Sequence, residues 1–277
     1  MKLMRVAGRR GRKLVMLTAY DYPTARLVDE ASVDLILVGD SLGMVVLGYE
    51  TTAPVTMQEM LHHARAVRRA VRRALVIADL PLASLRRGAA AVRDAERLVR
   101  EIGCDGVKVE WRPGILTTVA SMVKRRIPVL GHVGLTPQLV TEPSGFRVQG
   151  RRAEEALTIL QEALELERAG CFGVVLECVP DRVAALITRR LKIPTIGIGA
   201  GPDCDGQVLV LHDLLGLHHG RAARFVKQYA RVGETITRAV TAYRDDVRSG
   251  RYPSVKHAYS IADDEFRRLR RLLRKNR

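Results

Sequence analysis

Short unbroken apolar runs alternate along this chain with longer stretches in which apolar residues recur every three or four positions. The runs are VMLTAY from Val15, LILVGD from Leu35, LVIADL from Leu75, GVKVE from Gly106, VLGHV from Val129, GVVLE from Gly173, TIGIGA from Thr195 and VLVLHD from Val208. They are continuous rather than alternating, which predicts parallel strands covered on both faces. Between them, Arg151–Ala169 places Ala156, Leu157, Leu160, Ala163, Leu164 and Leu166 on one helical face, with Gly170 as its stop, and a second helix is predicted over Ala89–Ile102, stopping at Gly103. A third, Arg65–Arg73, carries arginines on one side and Ala66, Val67, Ala70 and Val71 on the other. Only the link between the seventh and eighth runs is too short for a helical crossover.

A weak internal repeat supports the same rhythm. REIGCDGVKVE (Arg100 to Glu110) and ERAGCFGVVLE (Glu167 to Glu177) align without gaps, and EASVDLILVGD (Glu30 to Asp40) has the same shape: a helix end, a turn and a strand finishing on an acid. Repeated units of this kind predict a (β/α)8 TIM barrel, with a doubly wound sheet as the alternative. No Pro-, Ser- or Gly-rich linker divides the chain, so residues 1–259 read as one catalytic domain and 260–277 as a basic helical extension.

Composition narrows the picture. Of 277 residues, 47% are hydrophobic and 4% aromatic, so the core is expected to be Leu, Val, Ile and Ala. No apolar run reaches the roughly 18 residues of a membrane span, and the N-terminus lacks a secretory apolar stretch, which points to the cytoplasm. Cys104, Cys171, Cys178 and Cys204 form no CxxC pair and read as reduced thiols. The formal charge of +16 invites a nucleic-acid reading. Its excess, however, sits in Lys2–Lys13, Arg65–Arg73 and Arg267–Arg277, without interleaved aromatics, so no nucleic-acid partner is expected. In the tail, Phe266, Leu269, Leu272 and Leu273 form a narrow apolar stripe suited to docking on the domain or a neighbouring subunit, or to an anionic surface.

The carboxyl ends of barrel strands build active sites. Here they carry Asp40 and Ser41, Asp79, Lys108 and Glu110, His132, Glu177 and, at the last run, Asp213. Any one of these reads equally well as a residue marking where a strand leaves the core. Converging carboxylates repel, however, and need a cation or protons. Oxygen ligands without a His or Cys cluster suit Mg²⁺, with Asp40, Asp79 and Glu110 as its ligands on three successive strands. Lys108, on the same side of its strand as Glu110, is placed to meet a substrate carboxylate, and His132 to hydrogen-bond substrate or an acid. Glu177, across the mouth beside Val175, Cys178 and Val179, is expected to be buried and to act as a general base in an enolate-forming reaction. IGIGAG from Ile196 is explained as well by close packing as by phosphate binding, and His62 and His63 by surface or packing roles.

The stretches VGDSLGMVVLGYETT, IADLP, VKVE, GHVGLTPQ, FRVQGR, LECVP and IGIGAGPDCDGQVLVLHDLLG, within about 14 to 253, resemble the ketopantoate hydroxymethyltransferase family of pantothenate biosynthesis. The resemblance implies a (β/α)8 barrel in a large homo-oligomer, a decamer, that uses Mg²⁺ to transfer a one-carbon unit from 5,10-methylenetetrahydrofolate to 3-methyl-2-oxobutanoate, giving 2-dehydropantoate. By matching motif it assigns Asp40, Asp79 and Glu110 to the metal, Ser41 and Lys108 to the keto acid, His132 to the site lining and Glu177 to proton acceptance. Trp111, Arg112 and Pro113 after KVE, and Leu82–Leu85 after ADLP, depart from the pattern beside the site. The competing reading is a Mg²⁺-dependent lyase or mutase of the phosphoenolpyruvate mutase and isocitrate lyase type. Those enzymes carry a reactive-cysteine loop of the KKCGH kind, which this chain lacks.

Overall fold

The computed structural model describes residues 12–140, 147–217 and 223–275. The basic N-terminal segment through residue 11 and the beginning of FRVQGR lie outside the described residues. The apolar runs form β1 (Leu14–Thr18), β2 (Leu35–Val38), β3 (Leu75–Asp79), β4 (Gly106–Glu110), β5 (Val129–Gly134), β6 (Gly173–Glu177), β7 (Thr195–Ile198) and β8 (Gly206–Leu209), although the end of the eighth run, from Leu211 through Asp213, is helical rather than strand. These eight strands close in sequence order, each parallel to its neighbours, with β8 returning to β1. The doubly wound alternative is thereby excluded in favour of the (β/α)8 barrel.

Alternation along each strand separates two apolar layers. Met16, Leu37, Ile77, Leu130, Val175, Ile196 and Val208 point inward and pack together as a plug, each contributing roughly 1.5–3 kcal/mol on burial. The opposite faces, including Val76, Val107, Val129 and Val174, pack against the surrounding helices in a larger cluster.

Those helices begin and end for local reasons. The first, α1 (Tyr22–Glu30), starts where Asp21 accepts a hydrogen bond from the Thr24 amide. After the short α2 (Leu42–Val45), α3 (Met57–Ala70) opens with a Thr56–Glu59 capping box. The sequence carries α3 to Arg73, but the backbone amides of Arg72, Arg73 and Ala74 are taken by the carboxylate of Asp29, and the helix ends at Ala70. The short α4 (Leu82–Leu85) precedes α5 (Gly88–Glu96), which passes into a π-helical turn, Arg97–Ile102, and stops at Gly103 with φ +85°. Then come α6 (Ile115–Lys124), α7 (Ala153–Arg168), α8 (Asp181–Arg190) and the short α9 (Leu211–Leu214). The β7–β8 link does lack a helix. In its place the Asp205 carboxylate accepts from the Thr195 amide at 2.9 Å, and the Asp205 amide donates to the Thr195 hydroxyl at 3.2 Å.

Two compact units result, Met1–Tyr229 and Ala230–Arg277. The sequence places the end of the barrel domain at 259, whereas the unit that contains the barrel ends at Tyr229. It contains α10 (Val232–Arg248) and α11 (Asp263–Lys275), neither with a buried residue. On α11 the stripe of Phe266, Leu269, Leu272 and Leu273 is exposed as the sequence arranged it. Among the described residues no helix is long and apolar enough to cross a membrane.

Candidate active site

The inward parity that plugs the barrel continues one step higher with polar side chains. Asp79, Lys108, Glu110, His132 and Glu177 occupy the next inward positions of β3 to β6, and strand register sets Asp79 beside Lys108 and Glu110 beside His132. They line a cavity of about 350 Å³ at the carboxyl ends of the strands, together with Asp40, Ser41 and Asp213. Every residue the sequence proposed for the site therefore reaches one cavity.

Asp40 stands just past β2, where Gly39 lets the chain pass close to Asp79: a Cβ at Gly39 would lie 2.9 Å from the Ser41 hydroxyl and 3.5 Å from Asp79 Oδ2. The Asp40 amide donates to Asp79 Oδ2 at 2.9 Å. Ser41 Oγ shares a 2.8 Å hydrogen bond with the hydroxyl of Tyr20, whose carbonyl in turn meets His63 Nδ1 at 2.6 Å. That contact gives His63 the packing role expected of it.

Lys108 is the hub. Its ammonium lies 3.2 Å from Asp79 Oδ1, 3.8 Å from Glu110 Oε1 and 3.1 Å from His132 Nδ1. Burial works against its charge, but Asp79, Glu110, Asp40 and Glu177 together hold its pKa above the usual lysine value. Burial pushes Asp79 up to about 7 against the pull of Lys108, and raises Glu110 well above the carboxylate range. Burial and the neighbouring ammonium both lower His132, which is therefore neutral. Its Nδ1 accepts from Lys108, so Nε2 bears the hydrogen and faces Glu177 Oε2 at 3.3 Å, near but not aligned as a hydrogen bond. Glu177 is less enclosed than the sequence suggested, its side chain 16% exposed beside Cys178.

Two carboxylate oxygens, Asp79 Oδ1 and Glu110 Oε1, are buried without a hydrogen-bond partner. Both face Lys108. Carboxylate oxygens paired only with an ammonium and bound by no hydrogen bond suit a hard divalent ion. Among the described residues no group of three or more His, Cys, Asp or Glu side chains is placed to hold a metal ion, so Asp40, Asp79 and Glu110 share the cavity without forming a closed three-ligand site. The donor set fits Mg²⁺ held by few protein ligands.

Sequence reasoning missed Gln138, 3% exposed, in a 3₁₀ turn (Pro137–Leu139) after β5. Its amide group donates to Asp40 Oδ2 and to the Leu80 carbonyl, both at 2.8 Å, and its backbone amide to Glu110 Oε2 at 3.1 Å. The signal was the final residue of GHVGLTPQ. Buried Thr52 also lines the cavity unnoticed. The departures at Leu82–Leu85 and at Trp111, Arg112 and Pro113 do not line it. Leu82 and Leu85 are buried, and the Trp111 amide donates to the His132 carbonyl at 2.8 Å. In IGIGAG, Gly201 has φ +79° and a Cβ there would stand 2.5 Å from that of Asp181, so close packing accounts for this glycine.

Comparison with known proteins decides between the two enzyme types that such a rim allows. The family model for ketopantoate hydroxymethyltransferase matches residues 1–255. The chain belongs to the ketopantoate hydroxymethyltransferase family. It is an enzyme of the transferase class, as the names of its relatives have it. A relative from Acetivibrio thermocellus named 3-methyl-2-oxobutanoate hydroxymethyltransferase is 52% identical over 266 residues, covering 95% of this chain and 94% of its own. Solved structures share the fold at low identity. Phosphoenolpyruvate phosphomutase from Streptomyces platensis subsp. rosaceus superposes with a TM-score of 0.62 at 16% identity, covering 99% of this chain and 96% of its own. Phosphonopyruvate hydrolase in complex with oxalate and Mg²⁺ gives 0.61 at 15% identity, covering 92% of both chains. The barrel is thus common to both enzyme types, while sequence identity places the chain with the hydroxymethyltransferases.

Proposed function

We propose that the chain transfers a hydroxymethyl group from 5,10-methylenetetrahydrofolate to 3-methyl-2-oxobutanoate, giving 2-dehydropantoate and tetrahydrofolate. The observation that carries this reading is that one cavity gathers the carboxylates of Asp40, Asp79 and Glu110 with the His132–Glu177 pair, His132 standing between Glu110 at 3.6 Å and Glu177 at 3.3 Å.

Asp40, Asp79 and Glu110 would hold Mg²⁺ by drawing together around it, since without the ion no three such side chains among the described residues are placed to do so. When bound, that ion draws electron density from the keto oxygen of the substrate and makes the adjacent C3 hydrogen acidic. The Lys108 ammonium and Ser41 hydroxyl orient the keto-acid carboxylate. Glu177 accepts the C3 proton, with the Nε2 of neutral His132 3.3 Å from its Oε2. The C3 carbon so freed bonds to the methylene carbon of the folate. That bond replaces one of the two carbon–nitrogen bonds of the methylene bridge, water displaces the second nitrogen and supplies the hydroxyl group, and the two folate nitrogens take up the C3 proton and one proton of the water. The apolar floor of Leu37, Val175 and Ile198 suits the branched alkyl end of the keto acid. Family membership supports action as a homo-oligomer of cytoplasmic biosynthesis as part of the same reading.

The test is formation of 2-dehydropantoate from keto acid, methylenetetrahydrofolate and Mg²⁺. Product that disappears on chelation and returns with added Mg²⁺ supports the reading, and absence of product with all three present overturns it.

A further inference from the structure

Three carboxylates at the rim, Asp40, Asp79 and Glu110, each have one oxygen held in place. Asp79 Oδ2 accepts from the Asp40 amide, Asp40 Oδ2 from the Gln138 side chain, and Glu110 Oε2 from the Gln138 backbone amide. At Asp79 and Glu110 the second oxygen is the one left buried without a hydrogen bond, facing the Lys108 ammonium. Gln138 thus supplies two of these three holds from a single residue, and its second amide hydrogen is tied to the Leu80 carbonyl. An amide NH₂ locked by two acceptors at 2.8 Å cannot swing away to solvate a carboxylate differently.

From this we propose that Gln138 is a positioning residue for the divalent cation. By donating to the outer oxygens of Asp40 and Glu110, it presets which oxygen each turns toward the ion and links the loop after β5 to that geometry. The inference rests on the metal reading above. It is distinct from a packing role because the donors are spent on carboxylates of two different strands. Groups that orient metal ligands typically alter affinity about 10–100-fold when removed.

The experiment is a Mn²⁺ titration of the full chain by electron paramagnetic resonance, on wild type, Gln138→Met and Gln138→Asn, with circular dichroism and thermal unfolding of the metal-free proteins alongside. Methionine keeps the volume and the backbone donor to Glu110. Asparagine keeps an amide too short to reach both acceptors. The proposal expects folded variants whose Mn²⁺ dissociation constant rises about tenfold or more. Wild-type affinity in either folded variant would overturn it. So would loss of the fold in both, since Gln138 would then hold the barrel rather than the ion. A wild-type chain that binds no Mn²⁺ would instead overturn the metal reading itself.

Discussion

Lys108 Nζ and His132 Nδ1 stand 3.1 Å apart at the ends of neighbouring strands, both side chains buried. A lysine flanked by carboxylates stays charged, so it can only donate, and the imidazole must accept. One contact thereby fixes the histidine as the neutral tautomer with its hydrogen on Nε2, directed at Glu177. A cation that does not touch the proposed base thus sets the tautomer of the imidazole beside it.

Replacing Lys108 tests that hub. Lys108→Met removes the cation that draws the Asp79 and Glu110 pKa values down against burial, and where the acids are ionised, breaking a buried pair by removing one partner costs about 3–5 kcal/mol. Urea unfolding of the metal-free variant should show a loss of that order. A variant as stable as wild type would mean that the two acids are already neutral in the native chain.

Asp29 gives a pH-dependent prediction away from the site. Burial alone would raise its pKa, but the amides of Ala74, Arg72 and Arg73, with the Arg73 guanidinium, hold it below the usual carboxylate value. A depressed native pKa adds stability that is present above the unfolded value of about 4 and is lost as pH falls through the native one. Asp29→Asn should therefore cost about 1–3 kcal/mol at pH 7, and the difference from wild type should shrink as the pH is taken below about 4. A difference that does not change with pH would contradict the assignment.

The cysteines should be inert in the folded chain. Burial pushes Cys104 and Cys171 up to about 12, and burial followed by the Glu177 charge does the same to Cys178. At pH 8 only ~1 in 10⁴ of such groups is thiolate. A disulfide dye should titrate the four free thiols rapidly only after denaturation, and rapid reaction of two or more in the native protein would contradict their burial.

Gly134 stands beside Glu177 on the neighbouring strand. With φ +90°, its added Cβ would lie 2.4 Å from the Glu177 carbonyl oxygen, the atom that accepts from the Leu135 amide at 2.9 Å. Gly134→Ala should shift the end of β6 and lower turnover while costing about 1–3 kcal/mol of stability. Unchanged turnover would show that Glu177 tolerates displacement.

The sequence made the barrel legible because its strands are continuous apolar runs whose parity carries straight into the site: Ile77 leads to Asp79, Leu130 to His132, Val175 to Glu177. Gln138 was hidden because it lies in a turn beyond β5, where no periodicity tells which way a side chain points, and its partners are on other strands. The end of α3 was misread for a similar reason, since Asp29, forty-odd residues earlier, takes the amides that would have extended it. The β7–β8 link lacked a helical pattern because an Asp205–Thr195 staple does the work of a crossover helix. The start of the second unit at 230 left no mark, because α10 is preceded by no linker of distinctive composition.

The account turns on Glu177 as the group that takes the C3 proton. Incubating 3-methyl-2-oxobutanoate with Mg²⁺ and protein in deuterated water, without folate, isolates that step, and proton NMR reads the loss of the C3 hydrogen. Wild type should exchange it, and Glu177→Gln, which keeps shape but cannot accept the proton, should slow exchange about 10²–10⁴-fold. Exchange by Glu177→Gln at the wild-type rate would contradict the account.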